Sequence, residues 1–123
     1  MMKINPLNEE ERRIIEEKGT EPPFSGKYND FFKEGVFVCK RCSNPLFSSQ
    51  AKFKSSCGWP SFDEYFEGAA REVPDSDGIR TEIVCNKCLA HLGHVFRGEN
   101  FTPKNTRHCV NSLSIKFIPE LKG

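Results

Sequence analysis

Six cysteines and three histidines hold most of the chemical potential of this chain, and their spacing sorts them into unequal groups. Two residues separate Cys39 from Cys42, and two separate Cys85 from Cys88. A Cys-x-x-Cys turn aims two thiolates at one ion, and two such turns complete a tetrahedral site with metal–sulfur distances of about 2.3 Å. The pattern predicts one zinc ion per chain, held by Cys39, Cys42, Cys85 and Cys88. The stretch between the pairs is longer than in common zinc ribbons, so it must form elements of its own while the two turns meet in space. Two vicinal disulfides or thioredoxin-like redox pairs are weaker readings, because a redox Cys-x-x-Cys should open a helix in a βαβ unit and neither pair does. Four sulfur ligands leave the ion no open position, so its expected role is structural and catalysis must lie elsewhere.

Cys57 and Cys109 remain. An ordinary thiol is only a few per cent thiolate at neutral pH, so a reactive cysteine needs a polar, cationic setting. If Arg107 to Phe117 is one strand, Arg107, Cys109, Asn111, Leu113, Ile115 and Phe117 share a face that begins polar and ends apolar. His108, Val110, Ser112, Ser114 and Lys116 fill the other face, expected to be the wetter one. Cys109 then sits beside an amide and a guanidinium, placed like a nucleophile; a small buried cysteine that only packs is the bland alternative. His108 is offset by one residue and faces away from Cys109. His91 and His94 would point to opposite sides of a regular strand, but Gly93 permits a bulge that could bring them together. A structural role beside the second Cys-x-x-Cys turn, or alternative metal ligation, is the competing reading for both. Trp59 is the only tryptophan. Gly58 and Pro60 present it from a turn near Cys57, as the apolar wall of a small-ligand site would be.

These residues need elements to carry them. Asn8-Glu9-Glu10-Glu11 opens a short helix with Asn8 as cap, Glu11 reaching back and Gly19 as stop, its thin stripe of Ile14 and Ile15 docking it on the outside. Thr20 to Asp30, with Pro22, Pro23 and Gly26, reads as an ordered wrap anchored by Phe24 and Tyr28. Val36-Phe37-Val38, Pro45-Leu46-Phe47 and Ile79 to Val84 read as strands, the first delivering Cys39 and the third Cys85. Asp75-Ser76-Asp77-Gly78 is a turn. Short strands, frequent turns and one helix give a mainly antiparallel β domain.

With 123 residues, 37% of them hydrophobic and 11 of them Phe, the chain suits a single domain, 1–123, with one core. Lys plus Arg number 18 and Asp plus Glu 17, and no basic block marks a nucleic-acid or acidic-membrane partner. The N-terminus, Met1-Met2-Lys3-Ile4-Asn5-Pro6, lacks an apolar signal region, and no segment is long enough to span a bilayer, so a cytoplasmic location is expected. In a reducing compartment six cysteines serve as metal ligands or redox groups more often than as a disulfide framework.

At this point the residues resemble a known family, the methionine-R-sulfoxide reductases of the MsrB type, over nearly the whole length. The matching motifs are Thr20-Glu21-x-Pro23-Phe24-Ser25-Gly26, Cys39-x-x-Cys42, Pro45-Leu46-Phe47, Gly58-Trp59-Pro60-Ser61-Phe62, Arg80-Thr81-Glu82, Cys85-x-x-Cys88, His91-Leu92-Gly93-His94-Val95-Phe96 and Arg107-x-Cys109-x-Asn111-Ser112 with Phe117. The resemblance implies a zinc-containing β-tent of two facing antiparallel sheets. It implies an oxidoreductase, a peptide-methionine (R)-S-oxide reductase, that repairs oxidised proteins under oxidative stress. It makes Cys109 the nucleophile and Trp59 the wall for the substrate's ε-methyl, with Phe96 and Arg107 also in the substrate site. His91, His94 and Asn111 would surround the sulfoxide oxygen, with His94 favoured as proton donor. Cys109 would become a sulfenic acid, Cys57 would resolve it as a redox-active Cys57–Cys109 disulfide, and thioredoxin would reduce that disulfide. A monomer suffices for this chemistry. The chain departs from the family where an Asp-Gly commonly follows the His-Val-Phe: here Arg97-Gly98-Glu99-Asn100 stands instead, and Glu99 is the candidate partner for Arg107. Two rival functions are a zinc-stabilised β-tent module that binds a peptide or small ligand without chemistry, and a disulfide oxidoreductase using a metal-free Cys-x-x-Cys pair.

Overall fold

The computed structural model describes residues 4–119; Met1 to Lys3, which begin the predicted domain and its N-terminal reading, and 120–123, which end the domain, lie outside the described residues. Helix α1 (Glu9–Ile15) begins with the predicted capping box: Glu11 N–H donates to Asn8 Oδ1 (2.7 Å) and the Asn8 N–H donates to Glu11 Oε1 (3.0 Å). It ends sooner than expected. Lys18, not Gly19, takes the left-handed conformation (φ 57°), and Gly19 N–H closes back on Arg13 O at 3.0 Å. Ile14 and Ile15 are fully buried, tying the helix to the domain.

The strands are β1 (Gly35–Cys39), β2 (Pro45–Ser48), β3 (Lys52–Phe53), β4 (Ser61–Phe62), β5 (Ala70–Pro74), β6 (Thr81–Cys85), β7 (His91–Arg97), β8 (Thr106–Val110) and β9 (Ile115–Pro119). They form two antiparallel sheets, β2-β1-β9 and β3-β4-β8-β7-β6-β5. The inner faces meet through aromatic rings: Phe47 of β2 stacks on Phe62 of β4 with centroids 4.2 Å apart, and Phe37 of β1 meets the same ring edge-on at 5.2 Å. Offset-stacked and edge-to-face pairs of this kind combine large apolar burial with favourable quadrupole geometry. Among the described residues, no helix is long and apolar enough to cross a membrane.

Three expectations are corrected. Arg107 to Phe117 is not one strand: a 3₁₀ turn (Ser112–Ser114) divides it, sending β8 into one sheet and β9 into the other. The His108 and Val110 side is not the wet one, since both are buried. β8 is an interior strand whose other face packs on the aromatic core, where His108 lies 6.4 Å from Phe47 and its Nδ1 pairs with Phe62 O at 3.0 Å. Finally, Tyr28 anchors the wrap but Phe24 does not. A left-handed backbone (φ 64°) turns Phe24 outward, leaving it 66% exposed.

Candidate active site and metal centre

The two Cys-x-x-Cys turns are built alike. After β1, Cys39 N–H donates to Asn44 O (2.8 Å), Ser43 N–H donates to Cys39 O (2.8 Å), and Ser43 is left-handed. After β6, Cys85 N–H donates to Ala90 O (3.0 Å), Leu89 N–H donates to Cys85 O (2.9 Å), and Leu89 is left-handed. The four Sγ atoms lie within 4.8 Å of one another, with Cys39–Cys88 and Cys42–Cys85 each at 3.6 Å. Sulfurs around a tetrahedral zinc with bonds of about 2.3 Å are roughly 3.8 Å apart, so the cluster fits a closed metal site. Asn44 Nδ2–H points at Cys85 Sγ (3.7 Å), an outer contact that would steady a ligating thiolate. Because β1 and β6 belong to different sheets, the centre ties the two layers together.

The second group of residues gathers on the opposite face of β8 from the core. In the register, Cys109 pairs with Ser61 of β4 on one side and with His94 of β7 on the other, while Arg107 pairs with Phe96. Directly opposed residues on one face have Cβ atoms about 5 Å apart, so this pairing alone clusters Cys109, His94, Arg107 and Phe96. Close strand approach depends on Gly93, where an added Cβ would sit 1.8 Å from Cys109 O. A cavity of about 140 Å³ opens here, and its lining includes Cys57, Trp59, His94, Phe96, Arg107, Cys109 and Asn111. That is side-chain-sized. A larger cleft, about 710 Å³, runs between α1, the wrap and β9, and no cysteine or histidine lines it.

Cys57 enters the cavity from a loop shaped by two left-handed residues, Ser56 (φ 62°) and Gly58 (φ 101°). Its Sγ receives the Ser55 hydroxyl at 3.0 Å and lies 3.4 Å from Ser61 Oγ. Cys57 and Cys109 shift each other's thiols in opposite directions. Hydrogen bonding from Cys109, aided by Ser55 and Ser61, brings Cys57 down to about 4 against the opposition of burial. The same contact and burial push Cys109 up, with Arg107 pulling in the other direction. The pair is thus biased toward charge on Cys57 rather than on Cys109, where the sequence placed the nucleophile.

Arg107 is fixed on two sides. Its Nε–H and terminal N–H donate to Glu99 Oε1 (2.8 Å) and Oε2 (3.2 Å), and its guanidinium carbon lies 4.6 Å from the Phe96 ring centroid. Glu99 is thus the carboxylate partner of Arg107, held below the ordinary carboxylate range by this bidentate bond.

The histidines separate. A bulge at Leu92, opposite Ile83 and Val84, brings the His91 and His94 rings to 5.6 Å, as Gly93 suggested. Only His94 reaches the cavity wall. Its Nε2 lies 2.5 Å from Asp75 Oδ2, on the turn between β5 and β6. His91, 3% exposed, lies outside the wall: its Nδ1 pairs with buried Glu82 Oε2 at 2.7 Å, and Lys18 Nζ approaches Glu82 Oε1 at 3.3 Å. Burial drives the His91 pKa down against the pull of Glu82, and its Nε2 has no hydrogen-bond partner among the described residues. Asn111 is at the cavity but already engaged, its Nδ2–H donating to Leu92 O (3.3 Å) and its Oδ1 receiving Glu21 N–H (3.1 Å).

Sequence reasoning assigned no role to Asp75, Glu82 or Glu21. Asp75 read only as a turn former. Its signal would have been the hairpin arithmetic that sets a β5–β6 turn acid beside a β7 histidine. Glu21 had a clearer flag, a lone charge between Thr20 and Pro22-Pro23.

A family model described as the SelR domain matches residues 7–119. Peptide methionine sulfoxide reductase B3, chloroplastic, of Oryza sativa subsp. japonica is 55% identical over 114 residues, covering 92% of this chain and 50% of that protein. Peptide methionine sulfoxide reductase B5 of Arabidopsis thaliana is 54% identical over 114 residues, covering 92% of this chain and 82% of that protein. The chain therefore spans about half the length of the first relative and about four fifths of the second. A solved structure, described as the crystal structure of the Mis18 'Yippee-like' domain, aligns with a TM-score of 0.53 at 18% identity, over 74% of this chain and all of that one, a likeness of fold alone.

Proposed function

The chain belongs to the SelR-domain family shared with peptide methionine sulfoxide reductases B, and from that membership we propose that it reduces the R epimer of methionine sulfoxide, mainly in peptides and proteins, to methionine. The observation that carries the reading is the meeting of Cys57 and Cys109 in one cavity with Trp59, His94 and Arg107, apart from the four clustered cysteines. A binding module without chemistry has no use for two free thiols in one side-chain-sized cavity.

The sulfoxide enters with its methyl against Trp59. Cys109 sulfur attacks the sulfoxide sulfur, and the proton Cys109 carried passes to the Cys57 thiolate. His94, oriented by Asp75, gives a proton to the oxygen, which moves to Cys109. Methionine leaves reduced by two electrons, and Cys109 is oxidised by two electrons to the sulfenic acid. Cys57, now a thiol, attacks that sulfur; its proton and the hydroxyl leave as water, and a Cys57–Cys109 disulfide remains. A thioredoxin dithiol then reduces the disulfide by exchange. Cys39, Cys42, Cys85 and Cys88 would hold a zinc ion that contributes to the fold, since four sulfur ligands would leave it no open position. A monomer, 1–123 as one domain, in a reducing compartment such as the cytoplasm completes the reading.

The test is incubation with resolved R and S epimers of a methionine sulfoxide peptide, with dithiothreitol and separately with thioredoxin and its reductase. Methionine should form from the R epimer with either reductant. Methionine formation from the S epimer alone, or from neither, would refute the proposal.

A further inference from the structure

We propose that Glu21 is a positioning residue that sets Trp59 and Asn111 relative to Cys109, so that the segment from Thr20 to Tyr28 works as a clasp over the substrate cavity. Glu21 makes four contacts in two directions. Its carbonyl oxygen receives the Trp59 Nε1–H (2.9 Å), and its N–H donates to Asn111 Oδ1 (3.1 Å). Its carboxylate receives Ser112 N–H at Oε1 (2.7 Å) and Leu113 N–H at Oε2 (3.2 Å), the first amides of the 3₁₀ turn that follows Asn111.

The backbone of Glu21 thus touches both residues that would flank the sulfoxide, while its side chain fixes that backbone to the turn leaving the Cys109 strand. Glu21 is 3% exposed, and losing its partners would strand a buried polar group, so the carboxyl binds the turn or the clasp opens. Burial pushes this carboxyl up while the bonds from Ser112 and Leu113 pull it down. Two glycines make room for the clasp. A Cβ at Gly26 would lie 2.6 Å from Glu21 Oε1 and 2.2 Å from Ser112 Oγ, and a Cβ at Gly58 would lie 2.6 Å from Pro23 Cβ. Phe24 N–H donates to Gly58 O (2.7 Å), so the clasp also holds the loop that carries Cys57 and Trp59.

Trp59 is the only tryptophan, so its fluorescence and its single indole N–H resonance report the clasp directly, without reference to turnover. In the unsubstituted protein the indole N–H should exchange slowly with solvent; exchange as fast as in an unfolded peptide overturns the proposal. Glu21→Gln keeps a carboxamide oxygen for one of the two amides, and Glu21→Ala removes both acceptors. The Trp59 emission of Glu21→Ala should shift and its acrylamide quenching should rise, with Glu21→Gln intermediate. The kinetic arm rests on the sulfoxide reductase reading: in Glu21→Ala, KM for the R-sulfoxide peptide should rise on the order of tenfold while kcat falls less than about threefold, the split expected when substrate positioning is lost. Native-like Trp59 emission and KM in a folded Glu21→Ala, even with a lowered Tm, would mean a structural role only and would overturn the proposal. If Glu21→Ala does not fold, Glu21→Gln and the indole exchange measurement decide. A protein inactive on sulfoxides but with the predicted fluorescence changes would refute the reductase reading and leave the clasp standing.

Discussion

His94 Nε2 and Asp75 Oδ2 lie 2.5 Å apart, a strand residue on the cavity wall and a turn residue from the neighbouring hairpin joined across the sheet. With Nε2 committed to the carboxylate, the ring has one orientation and its other nitrogen is left for chemistry.

Asp75→Asn should therefore slow the sulfoxide step by on the order of a hundredfold, the scale of a misoriented general acid, with little change in KM. The bond from His94 holds the Asp75 carboxyl below its ordinary value of 3.8. A depressed carboxyl stabilises the fold fully above its unfolded pKa and stops doing so as pH falls through the folded one. The Tm difference between the unsubstituted protein and Asp75→Asn should accordingly be largest at neutral pH and shrink below about pH 4. Thermal melts of both proteins across pH 2.5 to 7 check the sign.

Cys57→Ser should produce one methionine per chain and then stop when thioredoxin is the reductant. Serine cannot take the Cys109 proton or form the disulfide, so that single turnover should also be slower. Cys109→Ser should not turn over at all. Rapid-quench counting of methionine per chain distinguishes the two variants, and full thioredoxin cycling by Cys57→Ser would exclude Cys57 as the resolving residue.

Elemental analysis should find one zinc per chain. Replacing Cys85 by Ser, or prolonged chelation, should remove it and abolish cooperative unfolding, because the metal's binding energy is part of the folding energy. Calorimetry showing an unchanged Tm after verified metal loss would contradict the structural role.

Gly93→Ala should destabilise the fold by about 3 kcal/mol or more, since an added methyl would meet backbone rather than a movable side chain. Urea unfolding measures the loss. The β7–β8 separation would have to grow, so activity should fall even under conditions where the variant is folded.

Much of this was legible in the sequence, for local reasons. Asn8 and Glu11 satisfy each other three residues apart, the Cys-x-x-Cys turns need only their own backbone, and Gly93 announced the bulge that unites the histidine rings. The break at Ser112–Ser114 was not legible, because its alternation of small polar and apolar residues suits an extended strand as well as a turn. What decides is the Glu21 carboxylate gripping Ser112 and Leu113 from some ninety positions away. Asp75 beside His94 is likewise set by strand register, whereas the Glu99 partner of Arg107 was legible at the place where the family's Asp-Gly is missing. The lowering of the Cys57 thiol follows from Cys109, Ser55 and Ser61 converging on its sulfur, which spacing in a Gly/Pro loop does not reveal.

Peptide mapping by mass spectrometry after one equivalent of R-sulfoxide peptide, with no reductant present, tests the separation of redox sulfurs from ligand sulfurs most directly. The account predicts stoichiometric methionine, one disulfide joining Cys57 to Cys109, and Cys39, Cys42, Cys85 and Cys88 unoxidised with the zinc retained. A disulfide within either Cys-x-x-Cys pair, accompanied by zinc release and a free Cys109, would contradict it.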